Sequence, residues 1–375
     1  MKKLMSKLKY CNICILPNTR PNLKIYDVTP CNCYFNNKIK TNWKKRKIQF
    51  QKIVEKVKKK NSIYDCIIPV SGGKDSTWQT LIALQYNLKP LCVTWKTPAR
   101  SKIGIKNLEN LINLGVDHLD CTLNPVIEKK FVLKTFEKFG NPLIPMHLAL
   151  HAIPTNLAIE KKIPLILWGE NSAYEYGGEK KFKGPLIVDK WRKKFGVNEG
   201  KNVNFWIDNT LTQKQLINYK IPSYAKLKKN KVNEIFLGYY FQWSPKKIFE
   251  ISKKNGFKPA EKPKTGIYDF ADIDDSFLIT IHHYMKWYKF GFTREWDNYS
   301  LEIREKNISR NQAIKKLNDN GFSEPTEEID LFCKYLDITK SRFYKIVEKH
   351  RNKKIWTKKK NKWVIDNFLI DNWKW

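Results

Sequence analysis

In the first half of the chain, short apolar runs alternate with longer stretches in which apolar residues return every three or four positions. The runs suit buried strands and the stretches suit helices. Strand candidates are Asp65 to Val70, Leu91 to Trp95, His118 to Cys121 and Pro164 to Trp168. Helical patterns at Thr77 to Tyr86, Lys106 to Leu114 and Met146 to Lys161 lie between or beside them, and Trp43 to Lys60 reads as an amphipathic connector ahead of the first strand. This alternation predicts an α/β fold with a doubly wound parallel sheet. In such sheets ligands bind beyond the carboxyl ends of the strands. The loops at Ser71, Thr97 to Arg100, Thr122 to Pro125 and Gly169 to Asn171 are therefore expected to meet around one crevice.

Residues 180 to 235 are lysine-rich and weakly periodic, a surface excursion or a substrate flap. Beyond Tyr268 the pattern turns mainly helical, through Ser276 to Phe290, Ser309 to Asn318, Thr326 to Leu336 and Thr339 to His350. Ser309 with Gln312 three residues on reads as a helix cap. The expected organisation is a cysteine unit over 1–40, an α/β domain over 41–260 and a helical region over 261–375.

The chain has 375 residues, 42% of them hydrophobic, enough for a real core. Its net charge of +35 comes from lysines dispersed along the whole length, 62 of them against 9 arginines. A dispersed charge predicts a solvated basic surface, with nucleic acid not expected as the partner. No apolar run approaches the roughly 20 residues that span a bilayer, and the first residues lead into no signal-peptide core. The cytoplasm is the expected compartment.

Chemistry concentrates at three places. Ser71-Gly72-Gly73-Lys74-Asp75-Ser76 follows a strand candidate and opens a helical stretch. Two glycines let the backbone approach an oxyanion while a helix N-terminus points its N–H groups at it. Ser71 and Ser76 add hydroxyls, Lys74 a cation, and Asp75 a carboxylate for a magnesium ion or a ribose. The spacing is not that of a kinase-type phosphate loop. Cys11-x-x-Cys14 and Cys31-x-Cys33 look like the two knuckles of a zinc ribbon, four thiolates suiting tetrahedral zinc, although the second knuckle is one residue tight and free cysteines are the alternative. Gly169-Glu170-Asn171, with Glu175-Tyr176-Gly177-Gly178 behind it, suits a magnesium, ribose or sugar contact, or is an ordinary polar loop.

Arg100 clamps a phosphate or carboxylate, or makes a surface salt bridge, and Arg294, Arg304 and Arg310 are further anion candidates. His147 and His151 share a helix face but have no visible third ligand; Cys66, Cys92 and Cys121 read as small buried hydrophobes. Core packing is the expectation for Trp287, Tyr288, Trp296 and Tyr299.

The hexapeptide is the SGGxDS signature of the PP-loop ATP pyrophosphatases, of the adenine nucleotide alpha hydrolase-like fold. The longer pattern resembles one branch of them, the N-acetyl sugar amidotransferases of bacterial surface-glycan and flagellin-glycan (pseudaminic-acid type) pathways. It is carried by the cysteine knuckles with Thr19-Arg20-Pro21, by residues 71–76, by Trp168-Gly169-Glu170-Asn171 and Glu175 to Gly178, and by Lys289 to Arg294, Asp297, Ile303-Arg304 and Ile308-Ser309-Arg310. The resemblance implies an AMP-forming carbon–nitrogen ligase that uses ATP and Mg²⁺, carries structural Zn²⁺, and turns the acetamido group of an N-acetyl sugar into an acetamidino group. It implies Lys74, Asp75 and Glu170 as catalytic residues, Ser71 to Ser76 as the ATP site, Arg100, Asn171, Glu175 and Arg294 as substrate contacts, and Cys11, Cys14, Cys31 and Cys33 as metal ligands. The chain shows no glutaminase nucleophile, so a separate class I glutaminase subunit, with a channel-forming synthase-like partner, is expected to supply ammonia. The competing reading is a tRNA-modifying PP-loop enzyme, a thiolase or lysidine-type ligase.

Overall fold

The computed structural model describes residues 8–25, 31–32, 41–175, 182–196 and 199–375. Strands β1 (Cys66–Pro69), β2 (Pro90–Trp95), β3 (Asp117–Cys121), β4 (Leu165–Trp168) and β5 (Asn233–Phe236) form one sheet in the order β3-β2-β1-β4-β5, every pairing parallel. Side-chain alternation puts β1 at the centre. Cys66 and Ile68 enter one core with Phe50, Trp78 and Leu167, while Ile67 enters another with Val93, Ala158 and Ile166. A strand buried on both faces needs an apolar run; β1 and β4 have one, and β2 breaks its own only at Thr94, whose hydroxyl donates to Val70 O at 2.7 Å.

The four strands expected from the sequence are present, and β5 is an addition. Asn233-Glu234-Ile235-Phe236 follows a lysine-rich stretch and carries an acid, so it does not read as a buried strand. Glu234 is buried all the same, ion-paired to Arg192 and accepting a hydrogen bond from Trp168 Nε1 at 3.1 Å. Burial, with a smaller push from Asp189, raises its carboxyl, and the Arg192 charge works against that rise.

Helices cover both faces. The Lys74–Gln85 helix follows β1; Ser101 caps the Lys102–Ile112 helix after β2, its hydroxyl accepting from Gly104 N at 2.9 Å. Asn124 caps the Pro125–Phe139 helix after β3, which corrects the expectation for Thr122 to Pro125: this segment starts a helix and stands apart from the crevice.

The C-terminal region contains the helices Leu278–Phe290, Arg294–Arg304, Arg310–Asn320, Thr326–Leu336 and Lys340–Lys349, then a hairpin of β6 (Trp356–Lys359) and β7 (Lys362–Ile365). The second of these helices and the hairpin were not legible in the sequence. The Ser309–Gln312 cap is realised in full, each residue's side chain accepting from the other's backbone N–H, at 3.2 and 2.8 Å. The helical region shares a core with the α/β part through Phe136, Leu148, Ile281, Phe332 and Phe343. A second core joins Cys11, Cys14, Ile15 and Leu16 to Trp287, Phe292, Trp296 and Phe368, so the cysteine unit is seated on the C-terminal helices. Trp287, Trp296 and Tyr299 are thus packing residues. Among the described residues no helix is long and apolar enough to cross a membrane.

Candidate active site

Strand order reverses direction between β1 and β4, and their carboxyl ends open a cleft of about 360 Å³. The turn after β1 forms one wall. Gly72 has φ +84°, and a Cβ there would lie 2.5 Å from Leu108 N, so only glycine can occupy it. Gly73 caps the Lys74–Gln85 helix with extended backbone and no side chain on its first N–H groups. Gly73, Lys74, Asp75 and Ser76 line the cleft, so that helix terminus faces it. Ser76 and Thr77 hydroxyls donate back to Gly73 O at 3.0 and 3.1 Å and brace the turn. Lys74 is buried, with Nζ 2.6 Å from both Asp75 carboxylate oxygens and 5.4 Å from the Phe270 ring. Glu170, exposed at the end of β4, stands at the rim. Gly169 beside it packs against side chains, and a Cβ there would meet Gln79 Nε2 at 2.7 Å and the Trp243 ring at 2.9 Å.

The opposite wall comes from residues 268–304. Buried Asp275 accepts from Phe277 N and Ile279 N, both at 3.0 Å, and so starts the Leu278–Phe290 helix; burial pushes its carboxyl up to about 7. Burial would also raise Asp272, but the His283 ring 3.5 Å away, the Arg294 charge and the Thr265 hydroxyl overcome it and hold Asp272 well below the usual carboxylate range. Asp297 is the most strongly fixed. Arg20 Nε lies 2.7 Å from Oδ1, Lys286 pairs with Oδ2, and Arg294 stands 4.0 Å away. Against the effect of burial, these cations hold Asp297 far below the ordinary range, while burial brings Lys286 down to about 8.

The structure gathers Ser71, Gly73, Lys74, Asp75, Ser76, Arg100, Glu170 and Arg294 around the cleft, and leaves other expected residues outside it. Arg100 reaches the lining, yet its fork is engaged by Asp120, with two bonds of 2.7 Å. Asn171 is a correction: buried away from the cleft, its amide donates to Phe182 O and Gly184 O and accepts from Ala173 N and Trp191 Nε1. Glu175 ends a short helix whose last side chains, like Tyr176, Gly177 and Gly178, lie outside the described residues. Arg304 lines the cleft; Arg310 does not. His147 and His151 are driven down by burial, His147 to about 4, and no third ligand joins them among the described residues. Buried Cys66 and Cys92 have thiols raised by burial, as packing residues do.

The acidic wall was missed. Asp272-Ile273-Asp274-Asp275, three acids between Phe270 and Phe277 just ahead of a helix, was the available signal. Arg20 and Asp297 stood in the family resemblance, but nothing local paired them, because they are 277 residues apart, and Lys286 gave no signal.

Near the N-terminus, Cys11, Cys14 and Cys31 are buried with their sulfurs within 4.8 Å of one another, Cys14 and Cys31 at 3.1 Å. Hydrogen bonds with Cys14 and Cys31 bring the Cys11 thiol down, and those of Cys14 with Cys11 and Cys31 push Cys14 up. Three converging sulfurs fit a zinc ion. Cys33, the expected fourth ligand, lies outside the described residues. In the cleft the N–H groups of the open helix end with Lys74 fit a polyphosphate, and the carboxylates of Asp75, paired with Lys74, and Glu170 both line it.

Residues 265–369 match the family model described as the LPS biosynthesis protein WbpG-like, C-terminal domain. This stretch contains nearly the whole acidic wall. An uncharacterized protein of Methanocaldococcus jannaschii is 31% identical over 104 residues, covering 27% of this chain and 38% of that protein, so the chain spans well under half of the curated relative it matches. Two solved structures resemble it loosely, each at a TM-score of 0.28. One, titled a predicted subunit of tRNA methyltransferase from Methanocaldococcus jannaschii, is 14% identical and covers 50% of this chain and 75% of its own. The other, NMN synthetase from Francisella tularensis, is 12% identical over 60% of this chain and all of its own.

Proposed function

We propose, from the match of residues 265–369 to the WbpG-like C-terminal domain of LPS biosynthesis proteins, that the chain is an ATP-dependent N-acetyl sugar amidotransferase of surface-glycan biosynthesis. One observation carries this reading: the open helix end behind Gly73 faces, across a single cleft, the wall supplied by the family's domain. ATP would lie with its phosphates on the N–H groups and Lys74, and the sugar between it and residues 268–304.

An amide carbonyl is a poor electrophile with a poor leaving group. In the proposed reaction its oxygen attacks the α-phosphorus and pyrophosphate departs, leaving AMP on that oxygen. Ammonia adds to the imidate carbon, the carbon–oxygen bond breaks, and AMP leaves with the electron pair. The helix N–H groups and Lys74 stabilise charge on the departing pyrophosphate. Asp75 and Glu170 would hold Mg²⁺, which supplies further charge neutralisation when bound. A separate class I glutaminase, with a channel-forming synthase-like subunit, provides the ammonia.

The test incubates the purified chain with ATP, ammonium chloride and a panel of free and nucleotide-linked N-acetyl sugars. Expected are AMP, pyrophosphate and a product lighter than its sugar by about 1 Da, oxygen being exchanged for NH. ADP as product, or AMP formation that needs tRNA in place of a sugar, would sink the reading.

A further inference from the structure

A second cavity of about 580 Å³ adjoins the active-site cleft, and Arg294 with Asp297 lines both. His283 faces the second cavity, while Asp272, its partner, faces the first. The imidazole thus sits at the partition between them.

Asp272 Oδ2 lies 3.5 Å from His283 Nε2 and is itself held by the Thr265 hydroxyl at 2.5 Å. An ionised carboxylate beside Nε2 selects the tautomer protonated there, which leaves the Nδ1 lone pair as the acceptor. Nδ1 is buried and has no hydrogen-bond partner among the described residues. A buried nitrogen that could bond and does not is costly, and such costs are retained where a transient partner is expected. Asp272 faces His283 from the preceding loop, His282 and Lys286 from its own helix and Arg294 from the next; with burial, the nearby cations keep the ring neutral.

The reaction proposed above has a use for this base. When ammonia adds to the imidate carbon, the new nitrogen carries three protons and a positive charge. One proton must leave before AMP departs to give the amidine. We propose that His283 Nδ1 accepts that proton, with Asp272 as the positioning residue that fixes the ring and stabilises the imidazolium formed. The proton goes to Nδ1, the nitrogen lone pair forms the second bond to carbon, and the carbon–oxygen pair leaves with AMP. This assignment rests on the amidotransferase reading, and it places ammonia's approach on the second-cavity side of the sugar.

The test compares wild type with His283→Ala on whichever sugar of the panel wild type converts, reading pyrophosphate without ammonium and amidine with it. Pyrophosphate formation should stay within about 3-fold while amidine formation falls by about 10²–10⁴-fold, the range of a lost general base, and imidazole in the buffer should restore part of it. Asp272→Asn should lower amidine formation by about 10-fold and shift its pH profile. If His283→Ala fails to fold, His283→Gln is read the same way without the rescue. Amidine formation at the wild-type rate in the variant overturns the proposal, and so does a parallel loss of both half-reactions without rescue. Wild type silent on every sugar sinks the function itself, a result distinct from either.

Discussion

The two walls of the cleft are built in opposite ways. The phosphate turn is local: six consecutive residues, a strand before them and a helix after, with Gly72 answering one steric demand at Leu108. The acidic wall is an assembly. Asp297 on one helix is gripped by Lys286 from another and by Arg20 from the cysteine unit at the far end of the chain. A turn of the first kind can be altered with little effect elsewhere, whereas a change to the second reaches the cores that meet there.

The largest expected effect breaks the assembled wall. Asp297→Ala strands Lys286 and Arg20 without their counter-charge; removing one partner of a buried pair costs about 3–5 kcal/mol, to be read as a lower thermal midpoint with loosening of the cysteine unit in hydrogen exchange. The same grouping gives a pH dependence. Asp297 is held below its unfolded value, so its stabilisation is present above that value, near 3.9, and is lost as the pH falls through the folded one. Acid unfolding of wild type should be steeper than that of the variant.

Next comes the local wall, where chemistry and stability should separate. Lys74→Ala should lower sugar-dependent AMP formation by about 10²–10³-fold, as loss of one charge-stabilising donor does, with the midpoint moving little. A midpoint falling as far as in Asp297→Ala would erase the contrast. Gly72→Ala marks the limit of the contrast, the one place where the turn does reach stability: the backbone alone should cost about 1–2 kcal/mol at φ +84° and the Leu108 contact adds to that. Denaturant titration measures it.

The smallest effect concerns a support behind the cleft. Trp95 in β2 donates to Glu128 at 2.9 Å, and burial raises that carboxyl to about 7. A raised folded value means stability fully present below the unfolded value and lost as the pH climbs through about 7. Glu128→Gln keeps an acceptor for Trp95 and should stabilise by about 1–2 kcal/mol at pH 8 relative to pH 5, read by melts at both. An equal midpoint shift at the two values would contradict this.

Much of the α/β half was legible because its rules are short-range. Apolar runs marked β1, β2 and β4, and Ser309 with Gln312 announced a helix start that forms as expected. Where reading failed, a distant partner had changed what a residue could do. Glu234 enters a strand because Arg192 and Trp168 meet it, and Asn171, which looks like a substrate contact, is consumed by a buried network with Phe182, Gly184 and Trp191. Arg100 reads as either a clamp or a salt bridge, and β3 brings Asp120 within reach so that the salt bridge forms.

By itself, the sequence determined the strand-turn-helix that opens toward a phosphate, because glycine geometry and a helix end are properties of neighbouring residues. It also set three cysteines near enough in chain to converge once folded. Only the tertiary structure decided what faces that turn. The acids, the histidine beside Asp272 and the cations Lys286 and Arg294 lie within residues 272–297, far along the chain from the turn, and Arg20 reaches Asp297 from the other end; their charges acquire meaning through burial and mutual distance, which no local pattern records.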